Sequence, residues 1–127
     1  MDTNEIHEKL ILGISEQQKT ILESSGQGIY IYLDDNHVVY NQRFASLMGY
    51  SSIKELEKFN GSFLPSFVAE KSQNILVNAY QRAISQMEGS TIEIFWKKKT
   101  GGEVRTTVII TPLEFDGHLF AIHFISA

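Results

Sequence analysis

Apolar positions along the chain follow two periods, and the switches between them mark out its elements. Over residues 4 to 24, Leu10, Ile11, Ile14, Ile21 and Leu22 recur at spacings of three, four and seven, which predicts an amphipathic helix. Asp2 or Thr3 is placed to cap it, Gly13 weakens it by about 1 kcal/mol relative to alanine, and Ser24-Ser25-Gly26 ends it. On a heptad, His7, Ile14 and Ile21 share one seam position, and Ile11 and Gln18 share the other. The pattern therefore fits a helix packed on its own domain as well as it fits a two-helix seam between subunits. In a seam, Gln18 would set register at a cost in stability.

A hairpin follows. Gly28 to Leu33 is rich in β-branched and aromatic residues, Asp34-Asp35-Asn36 is a turn cluster, and His37 to Tyr40 returns. Asn41 opens a short helix with Phe44, Leu47 and Met48 on one face and Gly49 at its end. Ser51-Ser52 caps a second, Ile53 to Phe59, broken by Asn60-Gly61. Phe63 to Phe67 is an apolar connector around Pro65. Residues 68 to 87 predict a longer helix whose buried face is Val68, Ile75, Leu76, Ala79, Tyr80, Ala83 and Met87. Three strands close the chain: Thr91 to Lys99, Val104 to Phe115 interrupted by Pro112, and Leu119 to Ile125. Thr100-Gly101-Gly102 and Asp116-Gly117 are the turns between them. The order predicts an α+β domain in which five strands share one antiparallel sheet with helices on one face. The last strand is apolar on both of its faces, whereas a strand with one wet face alternates, so the second face is expected to be covered too. The N-terminal helix, or its mate in a dimer, is the expected cover.

Composition narrows the chemistry. The 127 residues carry 11 Lys+Arg against 15 Asp+Glu, a formal charge of -4, which argues against a surface for nucleic acid or anionic membrane. The Lys97-Lys98-Lys99 run reads as a solvated strand end. There is no cysteine, which removes disulfides, thiolate catalysis, thiolate metal sites and flavin-cysteinyl photochemistry. No apolar run reaches the roughly 18 residues of a membrane span, and the acidic start is unlike a signal peptide, so a cytoplasmic setting is expected. None of the four histidines, His7, His37, His118 and His123, forms a metal pair with carboxylates at helical spacing, so no metal is expected.

From about Ile21 onward the chain resembles a PAS domain. Ile21-Leu22-Glu23-Ser24 before Gly28-Ile29 resembles that family's entry into its first strand, and Asp35-Asn36 stands where Asp-Gly is usual. Asn41 lies eight residues before Gly49-Tyr50-Ser51, and Lys99-Thr100-Gly101 precedes Pro112 by the family's spacing. The usual Asp-Ile-Thr ending is replaced by Phe124-Ile125-Ser126, so the carboxylate that often anchors the outgoing linker is missing. The resemblance implies a five-stranded antiparallel sheet with helices on one face. The N-terminal amphipathic helix (1–24) lies on the other face or at a dimer interface, and 25–127 is the domain proper. It also implies a non-enzymatic sensory module cut from a longer protein, most often a histidine kinase. A ligand-free dimerisation module and the input domain of a cyclic-dinucleotide (GGDEF-type) enzyme are the alternatives. A homodimer would form through Ile11, Ile14, Gln18 and Ile21 and the outer sheet face.

In this fold a ligand of unknown identity would lie between the sheet's inner face and the helices. Spacing from Pro112 directs Thr106, Val108 and Ile110 inward. Ile94 and Trp96, Ile29 and Ile31, and Phe120 and Ile122 are expected to join them, which turns His123 toward the N-terminal helix. Counting by small residues instead puts Ala121 and His123 inward. Phe44, Met48, Phe63, Leu64, Phe67, Leu76 and Tyr80 form the far wall, and simple core filling accounts for the same residues. Haem of the kind usual in the family takes a histidine from the long helix, which has none, leaving His118 or His123 for it, and a non-covalent flavin would draw on Trp96 and Arg105. For a small α+β enzyme, only Tyr30, Tyr32, Tyr80 and His123 are available as acid and base.

Overall fold

The computed structural model of the chain describes residues 2–58 and 61–127. The expected end of the second short helix at Phe59 and the break at Asn60 lie outside them. Among the described residues six helices and five strands follow one another: α1 (Thr3–Gln17), α2 (Lys19–Ser24), β1 (Gly28–Asp34), β2 (His37–Tyr40), α3 (Gln42–Leu47), α4 (Ile53–Glu57), α5 (Phe63–Phe67), α6 (Glu70–Gln86), β3 (Ser90–Lys97), β4 (Glu103–Phe115) and β5 (His118–Ser126). The strands form one sheet in the order β2-β1-β5-β4-β3, every neighbouring pair antiparallel. The first and last strands of the sequence thus meet at the centre of the sheet.

The N-terminal segment is two helices. Asp2 caps the first by accepting from the Glu5 N–H, and the chain leaves helical geometry at Gln18. The break lets Leu22 return to the cluster that Leu10 and Ile14 form with Ile29, Ile31, Phe120 and Ile122. This segment therefore covers the outer face of its own sheet, and the doubly apolar β5 is explained. Gly13 lets the Phe115 ring approach the helix closely: a Cβ there would stand 2.7 Å from the end of that ring, which would have to move.

The inner face packs on α3–α6. Tyr30, Phe44, Met48, Phe63, Phe67, Leu76, Ile94, Trp96, Val108 and Ile125 share one cluster, and Ala79 and Ala83 of α6 sit over Ile110 and Ala121. The buried stripe of α6 is Ser72, Leu76, Ala79 and Ala83, while Ile75 and Met87, expected inside, are exposed. Val68 lies before the helix, bridged to Trp96 of β3. Pro112 does not interrupt β4. The β3 partner strand ends at the Ser90–Ile110 pair, so beyond it β4 has a free edge where a missing N–H is tolerated. Asp116 and Gly117 both take positive φ, 50° and 76°, as a tight two-residue hairpin requires.

Among the described residues no helix is long and apolar enough to cross a membrane.

Candidate functional site

Strand parity decides which side chains can reach a site. On β5, Ile125 pairs with Val108 and His123 with Ile110, which places Ala121, His123 and Ile125 on the inner face. On β1, Tyr30 pairs with His123 and Tyr32 with Ala121, so the tyrosines point inward as well. The expectation that Ile29, Ile31, Phe120 and Ile122 face inward is overturned: all four lie against α1 and α2. The reason is volume. α6 approaches β5 through Ala79 and Ala83 and leaves room only for Ala121, whereas Phe120 fits under the N-terminal helices. The count by small residues was the correct one.

Between β1, β5 and the α5–α6 region lies a cavity of about 150 Å³ lined by Tyr30, Tyr32, Asp35, Phe63, Leu64, Leu76, Val77, Tyr80 and His123. The Tyr30 and His123 rings stack face to face, centroids 3.9 Å apart and planes at 14°. Phe63 packs on Tyr30 at 5.1 Å, and Tyr80 meets Tyr32 edge-on at 5.4 Å. Tyr32 donates its hydroxyl proton to Asp35 Oδ1 at 2.7 Å. The Tyr30 hydroxyl and His123 Nδ1 are fully buried and have no hydrogen-bond partner among the described residues. A buried polar atom left unpaired costs about 1–3 kcal/mol, so two of them beside one cavity favour an occupant able to bond them. Burial pushes the Tyr30 phenol well above its ordinary range. Burial also holds the His123 imidazole down at about 3, although hydrogen bonding with the backbone of Tyr30 and Ala121 opposes it. At neutral pH the pair is therefore uncharged and can both donate and accept.

Of the expected site residues, Phe63, Leu76 and Tyr80 line this cavity. Phe44, Met48, Ile94, Trp96 and Val108 lie in the closed core, and Ile110 packs under α6. Thr106 is occupied by Trp96, accepting from its Nε1 at 2.9 Å and donating to the Ile94 carbonyl at 2.8 Å. Arg105 is exposed and paired with Glu93. Trp96 and Arg105 are thus away from the cavity, so the residues read as flanking a flavin do not flank it. Tyr30, Tyr32, Tyr80 and His123, named above together as acid and base candidates, are the groups the fold brings together. Leu64 was also expected on the wall; Asp35 and Val77 were not expected there. The correct β1 and β5 parity would have found Tyr30, Tyr32 and His123.

Asn41 explains how β1 is held. Its side chain accepts from the Ile29 and Phe44 N–H groups at 2.8 and 2.9 Å and donates to the Gln27 carbonyl at 3.0 Å. One buried amide thus caps α3 and fixes the start of the strand that carries Tyr30.

A second cluster lies at the far end of β1. His7 Nδ1 stands 2.5 Å from Asp34 Oδ2, and His37 Nδ1 stands 2.7 Å from Asp34 Oδ1. Burial alone would raise the Asp34 carboxyl, but hydrogen bonds from His7 and His37 outweigh it and the carboxyl is lowered. A reading limited to local spacing could not see this group, because His7 comes from α1.

Comparison with solved structures identifies the fold. A PAS domain of an HTR-like protein from Haloarcula marismortui superposes with a TM-score of 0.61 at 18% identity, covering 96% of this chain and 98% of that one. A domain of a sensory box sensor histidine kinase/response regulator from Geobacter sulfurreducens gives 0.63 at 16%, covering 92% and 96%. A PAS domain from a two-component sensor histidine kinase gives 0.62 at 16%, covering 91% and 96%. The chain has the PAS fold. Comparison with protein-family models gave no match, and comparison with curated proteins gave none at the level of sequence.

Proposed function

We propose that this PAS-fold chain is a non-enzymatic sensory module, with residues 25–127 as the sensing body and 1–24 as its signal helix. The Tyr30–His123 cavity holds a small, largely apolar molecule carrying one hydrogen-bonding group. The observation that carries this reading is that two residues lining a largely apolar cavity, Tyr30 and His123, each hold a buried polar atom without a partner. A cavity of about 150 Å³ is the size in which an engineered core site holds benzene, and well below the roughly 300 Å³ of a drug-sized site. The occupant is therefore of one-ring size. Occupancy shifts β1 and β5, which the signal helices cover from behind, and the change reaches an effector, a histidine kinase, in a homodimer. Ile14 is wholly buried on its own sheet, so helix contact between copies falls instead to exposed apolar side chains of these helices such as Leu12 and Ile21. Only a differential affinity for two arrangements is needed.

Native mass spectrometry of protein purified from cells tests the reading. The expected result is a bound species of small mass, lost in Tyr30→Phe/His123→Phe protein that folds as wild type does. Wild-type protein at the bare chain mass, whatever the growth medium, overturns it and leaves the ligand-free dimerisation module.

A further inference from the structure

The group formed by His7, Asp34 and His37 lies outside the cavity, and nothing in the proposed sensing role uses it. His7 stands on the apolar stripe of α1, three residues before Leu10 and seven before Ile14, both buried on the sheet. The packing that seats α1 therefore delivers the His7 ring to the β1–β2 turn. One ligand-type atom from each of the three residues lies within 4.8 Å of the others, and the two imidazoles meet edge to face at 5.6 Å. The Asn36 N–H donates to Asp34 Oδ1 at 2.9 Å, which holds the carboxylate in place.

We propose that His7, Asp34 and His37 form a site for a divalent transition-metal ion of the zinc type, and that the ion clasps α1 to the first hairpin. The donor set selects the ion. Two imidazoles and one carboxylate suit zinc, cobalt or nickel; calcium and magnesium prefer oxygen-only shells. Three protein ligands leave the fourth tetrahedral position to water. The exposures agree with such a site: the side chains of His37, His7 and Asp34 are 10%, 26% and 36% exposed, sheltered yet open to entry of an ion. Ligand atoms about 2.0–2.1 Å from a tetrahedral ion stand roughly 3.3 Å apart. The 2.5 and 2.7 Å contacts, made by different Asp34 oxygens, must then open by less than about 1 Å, and the most distant pair, within 4.8 Å, must close by up to about 1.5 Å, movements of the size that side-chain rotation provides. Each ligand comes from a different element, so the ion would add a polar clasp between α1 and the first hairpin to the apolar contacts that already seat α1 on the sheet.

The test titrates zinc(II) alone into the whole chain by calorimetry and cobalt(II) alone by visible absorption. The expected result is one ion per chain, the intense visible bands of four-coordinate cobalt, and a rise in melting temperature with zinc. His7→Ala, His37→Ala and Asp34→Asn are each expected to weaken zinc binding by at least roughly tenfold, since even second-shell losses cost that much. His118→Ala, at an exposed histidine elsewhere, is expected to bind as wild type does. Circular dichroism checks folding, and the partly exposed His7→Ala decides the matter if the other variants do not fold. Wild-type protein that takes up no zinc overturns the proposal, as does binding that His7→Ala leaves unchanged. The test does not depend on what the cavity holds: Tyr30→Phe/His123→Phe protein should bind zinc normally.

Discussion

The two faces of the sheet are built from the same central strands and differ in almost every other respect. The outer face sets Ile29, Ile31, Phe120 and Ile122 against Leu10, Ile14 and Leu22, a mostly aliphatic layer without a buried polar side chain in its cluster, closed by two helices. The inner face is aromatic, with Tyr30, Phe44, Phe63, Phe67 and Trp96 in one cluster. It also carries the buried polar side chains of Thr106 and His123. Thr106 is fully engaged by Trp96 and the Ile94 carbonyl, whereas His123 and its stacking partner Tyr30 are left open beside a cavity. An apolar layer can only pack, and its stability rises with every contact. A layer holding unsatisfied polar atoms gives up stability that an occupant can restore, so capacity for recognition belongs to the inner face and anchoring to the outer one.

The sharpest way to break this division is to damage the anchoring face. Phe120 is fully buried under the N-terminal helices, and Phe120→Ala should cost about 3–5 kcal/mol in chemical denaturation. Leu76→Ala, at the wall of an existing cavity, should fall at or below the low end of the roughly 2–5 kcal/mol usual for such truncations. Equal losses at the two sites would mean that the faces are equally tight.

A smaller effect is expected from acid. His123 ordinarily titrates near 6.5, and burial holds it at about 3 in the folded chain. Between those values the unfolded chain binds a proton that the folded chain refuses, so stability must fall as pH drops through that window and is complete above it. The loss should reach the order of a few kcal/mol by the lower end. From pH 6.5 to 5, before most carboxylates titrate, urea midpoints of wild type should fall more steeply than those of His123→Phe. Parallel slopes would place His123 in contact with water and remove it from the recognition layer.

How far the chain disclosed this division in advance depends on the same chemistry. Helical stripes, turn dipeptides and the doubly apolar β5 were legible, and from them came the strand count, the antiparallel sheet and the cover over its back. The parity of β1 and β5 was not. Alternation signals which way a strand faces only when one face is wet, and here both are dry. In Ile29-Tyr30-Ile31-Tyr32 the isoleucines look like the better core, yet they belong to the anchoring layer. The one discriminating signal was size, Ala121 beneath the alanines of α6. The His7–Asp34–His37 group needed α1 placed on the sheet before its members could be seen as neighbours.

The first hairpin is where the two faces meet. Asp34 turns to His7 on the outer helix, while its neighbour Asp35 accepts the hydroxyl of Tyr32 at the cavity. Both layers therefore have a hydrogen bond at the same two-residue step. Tyr30→Phe gives the finest test of the recognition layer because it should scarcely alter stability. Removing a hydroxyl that has no partner leaves the ring stack on His123 intact, and the burial penalty of that oxygen disappears. Ligand-free Tyr30→Phe should equal wild type or exceed it by up to about 1 kcal/mol in urea denaturation. As purified from cells, with any occupant retained, the order should reverse, because only wild type has the occupant's hydrogen bond to lose. A loss of stability in the ligand-free variant would mean that the hydroxyl is already bonded, by water for instance, and that recognition rests on His123 alone.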